Sequence, residues 1–306
     1  MLKMKNLRLT TLSENTAKSL WLIGEWGWSM FIEANGFRVL FDSGLRISAT
    51  YNAAILGIDL STIDRIALSH GHVDHTGGLR DVLDRAGTQI GYSNDLKREP
   101  HTIEIIAHPD VWGPKFTKHP GQTTHGFRGM PFRKVELEEG QGARFFESRE
   151  PVWLTEDIVW SGEIPMRNDF ETIASICFVK ESGGPGEGNS AVFVPDPLND
   201  DAALYLRTEQ GLVIVLGCAH RGIINTIHHA QEVTGLDRVH MVVGGTHLIN
   251  TSEHQMENTI LEMKRLSVQK IGVSHCTGPV SAARLAAAFG NDVFFYNNAG
   301  NVIKFI

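Results

Sequence analysis

Two short apolar runs in "WSMFIEANGFRVLFDSG", residues 27–44 less the first glycine, meet at Asn35-Gly36, a pair that tolerates positive φ and so predicts a tight β-hairpin. Next, "IDRIALS" (63–69) has the length and apolar content of a short buried strand. "TGGLRDVLDRA" (76–86) then places Leu79, Val82, Leu83 and Ala86 on one helical face. Residues 87–150 are rich in Gly, Pro, His and charge and read as a loop-rich excursion, a lid or an oligomer contact.

From residue 151 the pattern steadies. "ALYLRTEQGLVIVLG" (203–217) predicts a second hairpin, "RGIINTIHHAQEVTG" a helix ending near Gly235, and "RVHMVVGG" a strand. "EHQMENTILEMKRL" carries Met256, Ile260 and Met263 on one helical stripe. "QKIGVS" follows as a strand, "SAARLAAAF" as a helix, and "DVFFYN" and "NVIKFI" as closing strands. Hairpins dominate the first part and strand–helix alternation the last, which predicts a layered α/β (α+β) sandwich rather than a doubly wound parallel sheet.

Composition narrows the class. A chain of 306 residues with 42% hydrophobic content can bury a large core, and we expect a single domain over residues 1–306. A net charge of -7 speaks against nucleic-acid binding driven by overall charge, so any phosphate recognition must be local. With no apolar run long enough for a bilayer and no signal-type opening, a cytoplasmic protein without membrane contact is expected. Cys177, Cys218 and Cys276 are odd in number and far apart, which does not suggest a disulfide framework. An oligomer is left open.

The histidines sharpen the picture. His70, His220, His247 and His275 each follow directly on a buried-type apolar strand, so strands ending on a common edge would bring them to one site. The densest stretch, "SHGHVDHTGG" (69–78), holds His70, His72, Asp74 and His75. A cap needs one such residue, not four. One metal would take His70 and His72, and a second Asp74 and His75, with later strands completing each shell. Imidazole with carboxylate suits two divalent transition metals, zinc first, with manganese or iron as alternatives.

The "HGHVDH" run resembles the His-x-His-x-Asp-His signature of the metallo-β-lactamase superfamily, and "FDSG" (41–44) resembles a turn that precedes it in many members. "GCAHRGIINTI", "VVGGTHL" and "SHCTGPVSA" are similar to a subgroup related to a dihydropterin methyl-ribofuranosylaminobenzene phosphate synthase. The resemblance implies a four-layer αββα sandwich with a dinuclear site at one sheet edge. It implies His70, His72, Asp74, His75 and His275 as ligands, and Asp42 as the carboxylate that orients a ligand histidine. The usual middle histidine is missing from residues 126–219, and Gly217-Cys218 stands where a bridging aspartate is usual. His220 is the candidate for that imidazole. Cys218 is either a thiolate ligand or a buried inert thiol.

Around this centre, Asp74, His220 and His247 are the candidate catalytic residues. His247 is assigned an orienting or substrate contact, and Cys276 a packing role. Trp26, with Trp28, either stacks on a planar substrate such as a pterin or packs. Arg221, at a predicted helix start, either holds a phosphate or is solvated. His228 and His229 are expected on the surface, and His108 in a structural role. The expected activity is hydrolysis of a phosphoester or related ester on a small anionic substrate through a metal-activated hydroxide. The resemblance implies an alternative, a synthase in which metals hold a pyrophosphate leaving group while an aromatic ring attacks a pterin methylene carbon. A metal-holding redox or ligand sensor without turnover is a third reading.

Overall fold

The structure, a computed structural model, describes residues 1–87, 102–181 and 192–305. Two seven-stranded sheets face each other. The first runs Val302–Lys304, Leu7–Ser13, Ser29–Ala34, Phe37–Phe41, Arg65–Ala67, Ile103–Ala107 and Ala143–Glu147 in spatial order. The second runs Phe294–Tyr296, Lys270–Ser274, Val239–Gly245, Gly211–Leu216, Ala203–Thr208, Ile158–Trp160 and Val152–Trp153.

Period-two alternation explains the layering, because successive side chains of a strand point to opposite faces. Met30 and Ile32 join Leu204, Leu206, Val213 and Val215 in a core between the sheets. Phe31 and Leu40 point the other way, towards Leu79, Val82 and Leu83 of the helix Leu79–Ala86. On the far side, Leu212, Ile214 and Leu216 face Ile223, Ile227, Met256 and Leu285 of three helices. The result is the αββα sandwich expected from the sequence.

The hairpin at Asn35-Gly36, the strands after 203 and the helices Ile223–Thr234, Glu253–Arg265 and Pro279–Phe289 form where the pattern places them. The stretch 87–150 differs. Its strands Ile103–Ala107 and Ala143–Glu147 complete the first sheet and its helix Lys134–Gln141 covers the outer face, so this part is framework rather than loop. The strands are five residues each, and flanking Gly, Pro and charge dilute their pattern. Residues 88–101 lie outside the described residues. The helix Ser48–Ile55 was not anticipated; its burial follows no strong amphipathic stripe.

A third sheet of four strands, Val192–Pro195, Cys177–Glu181, Lys115–Thr117 and Gly126–Phe127, stands beside the histidine segment. Its anchor is Lys115, whose Nζ lies 3.0 Å from Asp196 Oδ2 and 2.8 Å from Asp200 Oδ1 with all three side chains buried. Asp200 Oδ2 accepts the Gly71 N–H at 2.8 Å, which ties the sheet to the segment between His70 and His72. No helix among the described residues is long and apolar enough to cross a membrane.

Removing one partner of a buried ion pair leaves an uncompensated charge. Lys115→Ala is therefore expected to lower unfolding free energy by about 3–5 kcal/mol in urea titrations. An unchanged midpoint and slope would show that Lys115 does not hold the third sheet.

Candidate functional site

The site forms where strands stop level. Arg65–Ala67 runs parallel to Phe37–Phe41, while Gly211–Leu216, Val239–Gly245 and Lys270–Ser274 are mutually parallel, with Leu216 opposite Gly244 and Gly245 opposite Ser274. At each end the chain turns sharply. Asp42, Ala219, His247 and His275 have φ of 58°, 52°, 46° and 52°, left-handed values that L residues adopt only under constraint. Gly217 permits the closest approach between the sheets, because a Cβ there would overlap the Ser69 side chain.

These turns gather the ring nitrogens. His70 Nε2 lies 2.9 Å from His72 Nδ1 and 3.2 Å from His220 Nε2. A few ångströms away, His275 Nε2 lies 3.3 Å from Asp74 Oδ2, and His75 Nε2 lies 3.1 Å from Cys218 Sγ. Within each of the sets His70–His72–His220, Asp74–His75–His275 and His70–His75–Cys218, the potential ligand atoms lie within 4.8 Å of one another.

Neighbouring groups fix the tautomers. Ser69 Oγ donates to Asp42 Oδ2 at 2.6 Å, so it accepts from His70 Nδ1 at 2.9 Å and leaves His70 Nε2 a bare lone pair. Asp42 Oδ2 lies 2.7 Å from His75 Nδ1, and Asn15 Oδ1 lies 2.9 Å from His275 Nδ1. All three Nε2 atoms are thereby turned inward, where a metal that displaces the proton of His75 or His275 would find their lone pairs. Asn15 is itself held, since its Nδ2 donates to His275 O at 3.3 Å, and the adjacent buried Glu14 accepts the His275 N–H at 2.8 Å.

The electrostatics favour a cation. Burial lowers the pKa of His70 and His220 well below the usual imidazole value and that of His72 to about 4, so these rings remain neutral lone-pair donors. Burial also works against charge on His75, but the Asp42 carboxylate prevails and raises it to about 9. Asp74 lies well below the usual carboxylate range, because the hydrogen bond with His275 and the neighbouring histidines outweigh burial. The single lone pair of His70 Nε2 can accept a proton from His72 Nδ1 or from His220 Nε2 but not from both. His72 Nε2 and His220 Nδ1 are also buried without a partner among the described residues. The donor set fits a transition metal, which accepts such lone pairs at neutral pH.

A cavity of about 690 Å³ opens onto this cluster, and Trp26, His247, Arg128 and Ile249 are among its lining residues. His247 brings a buried Nδ1 without a partner among the described residues, its ring centroid 4.1 Å from that of His220. Trp26 is 51% exposed, donates Nε1 to Asp74 Oδ2 at 3.1 Å and meets the His275 ring edge-on, whereas Trp28 is core. Cys276 is more than packing: its Sγ accepts the His247 N–H at 3.1 Å and lies 3.2 Å from Cys218 Sγ. His108 is structural, as expected, capping the turn at Pro109–Trp112 and meeting Glu163.

Three expectations are overturned. Arg221 does not face the cavity; its guanidinium is spent on the carbonyls of Ile164 and Pro197 and on Asn199 Oδ1. The N-terminus of Ile223–Thr234 is not open to a phosphate, because the buried Glu171 carboxylate already accepts the N–H groups of Ile224 and Asn225, each at 2.8 Å. Gly222 makes this approach feasible, since a Cβ there would overlap that carboxylate. His229 is buried against Tyr205 Oη at 3.0 Å rather than on the surface, and His228 is half-buried. Asn15, Glu14, Ser69 and Arg128 were not singled out from sequence, and no periodicity marks them.

Orienting carboxylates of this kind change metal affinity by about 10–100-fold when removed. Asp42→Asn is expected to weaken zinc binding within that range, as read by competition with a chromophoric chelator. Equal affinity in the variant would show that His75 needs no orienting partner.

The sequence profile of the Metallo-beta-lactamase superfamily matches residues 26–220. A 7,8-dihydropterin-6-methyl-4-(beta-D-ribofuranosyl)-aminobenzene-5'-phosphate synthase of Methanocaldococcus jannaschii is 32% identical over 311 aligned positions, covering 99% of this chain and 98% of the relative. An uncharacterized protein of the same organism is 28% identical, covering 95% and 98%. Among solved structures, Tm1679, described as a metal-dependent hydrolase of the beta-lactamase superfamily, superposes with a TM-score of 0.75 at 24% identity, covering 97% of this chain and 98% of its own. Profile, full-length relative and shared fold agree, and the chain belongs to the metallo-beta-lactamase superfamily.

Proposed function

We propose that the protein is a metal-dependent synthase joining a dihydropterin methylene group to an aminobenzene that bears a ribosyl phosphate. The observation that carries this reading is the 32% identity to the synthase across 99% of the chain, which spans both the histidine segment and the walls of the cavity. Hydrolysis, the first expectation from sequence, has superfamily membership and the name of a fold neighbour behind it, and the superfamily fold hosts many reactions.

In this reading His70, His72 and His220 would hold one metal and Asp74, His75 and His275 the other, with Cys218 beside both sets. Bound metals would supply positive charge for the oxygens of a diphosphate leaving group. The amine nitrogen, more nucleophilic than the ring carbons, forms a C–N bond to the methylene as the C–O bond to diphosphate breaks. The aromatic ring named in the sequence reading is thus the carrier of the nucleophile rather than the nucleophile. His247 takes the proton that the nitrogen loses, its unpartnered Nδ1 being available in the cavity wall. Trp26 offers an exposed indole face to a planar pterin, and its bond to Asp74 sets the angle of that face.

The test is to incubate metal-loaded protein with a dihydropterin-6-methyl diphosphate and the ribosylaminobenzene phosphate. One pyrophosphate should be released per conjugate formed, with no release when the amine is omitted. Amine-independent release, or faster turnover of a chromogenic phosphodiester, would replace this reading with a hydrolase. His247→Ala should lower kcat by about 10²–10⁴-fold with metal content retained. A variant with full kcat would remove His247 from the proton transfer.

A further inference from the structure

We infer that Arg128 is the anion anchor of the cavity and binds a phosphate monoester or diphosphate group of the substrate; this rests on the proposed use of the cavity for phosphate-bearing reactants. Arg128 is the one arginine or lysine among the described residues lining the cavity. No carboxylate of the described residues forms an ion pair with it, and its guanidinium is engaged by Nη1 donating to the Phe127 carbonyl at 3.1 Å. Four further donors of the planar fork remain for a ligand.

The backbone makes this arginine a fixed point. Its N–H donates to Lys115 O at 2.9 Å, and its carbonyl accepts the Val73 N–H at 2.8 Å. One bond joins it to the third sheet, where the buried Lys115–Asp196–Asp200 set holds the strand. The other joins it to the residue between His72 and Asp74. The guanidinium therefore starts from a backbone position set by the histidine segment itself.

Local charge agrees. Asp74 is the one carboxylate among the described lining residues, and its Oδ2 is already shared by His275 and Trp26. The cavity is thus free of unpaired acid in a chain of net charge -7, and a cation with open donors at its wall attracts phosphate. Thr251 Oγ1, buried and without a partner among the described residues, lines the same cavity and can add a hydroxyl donor. Arg221, adjacent to His220 in sequence, has no donor directed to this space.

Two groups of the proposed reactants have this chemistry, the diphosphate and the ribosyl phosphate. Pyrophosphate and ribose 5-phosphate are accordingly the two probes, titrated calorimetrically into zinc-loaded protein and into its Arg128→Gln variant. Binding of at least one probe should weaken by about 10–100-fold in the variant, the scale of a lost charge-assisted pair, with zinc content unchanged. The weakened probe identifies which phosphate Arg128 holds. Binding of both probes at wild-type affinity by Arg128→Gln would overturn the inference and leave the proposed function standing. Failure of the wild-type protein to bind either probe would remove the phosphate-bearing substrate and the inference with it.

Discussion

Imidazole nitrogens crowded together in a buried cluster are the constraint on which the rest of this structure depends. His70, His72 and His220 offer one another no complementary charge, and burial keeps them from acquiring protons. Such an arrangement persists only where the surrounding framework determines it. Here the framework consists of parallel strands ending at one level, left-handed turns that reverse each chain, and Ser69, Asp42 and Asn15 holding the outer ring nitrogens.

The two sheets contribute unequally and for different reasons. The first gives a continuous segment in which four ligand candidates follow one another, so its local conformation controls most of the cluster. The second gives isolated residues on separate strands, and those depend on register: Leu216 opposite Gly244 and Gly245 opposite Ser274 place the next residues of each strand at comparable depth. Trp160 links the layers by donating Nε1 to Leu68 O at 2.9 Å, two residues before His70. The third sheet then turns an exposed edge into a cavity wall, and its buried lysine ties that wall to Asp200 and through it to Gly71.

What sequence reveals and hides follows from the range of each interaction. Strands running into His70, His220, His247 and His275 are legible because apolar content and residue type are local properties. The hairpin at Asn35-Gly36 is legible for the same reason. The pairing of Asn15 with His275 spans 260 residues and that of Glu171 with Asn225 spans 54, and no pattern in either segment announces the other. Arg221 misleads because its adjacency to His220 in sequence is not adjacency of their side chains in space. With Ala219 at φ 52° and Gly222 at φ 98°, the chain bends and the guanidinium reaches Ile164 and Pro197 instead. The strand Ile103–Ala107 was hidden by its setting, a five-residue run between segments rich in charge and glycine.

The spread of these residues along the chain also bears on how the protein is made. His70, His72, Asp74 and His75 emerge from the ribosome first, and His275 follows roughly 200 residues later, a delay of about 10–40 s at ordinary elongation rates of about 5–20 residues/s. Throughout that interval the early histidines lack His275, and for most of it they lack His220 and the strands of the second sheet that bury them. The nascent chain therefore presents an incomplete set of candidate ligands until the last strands close over it. In this fold the candidate metal site is completed late in biosynthesis, in an order set by the strands.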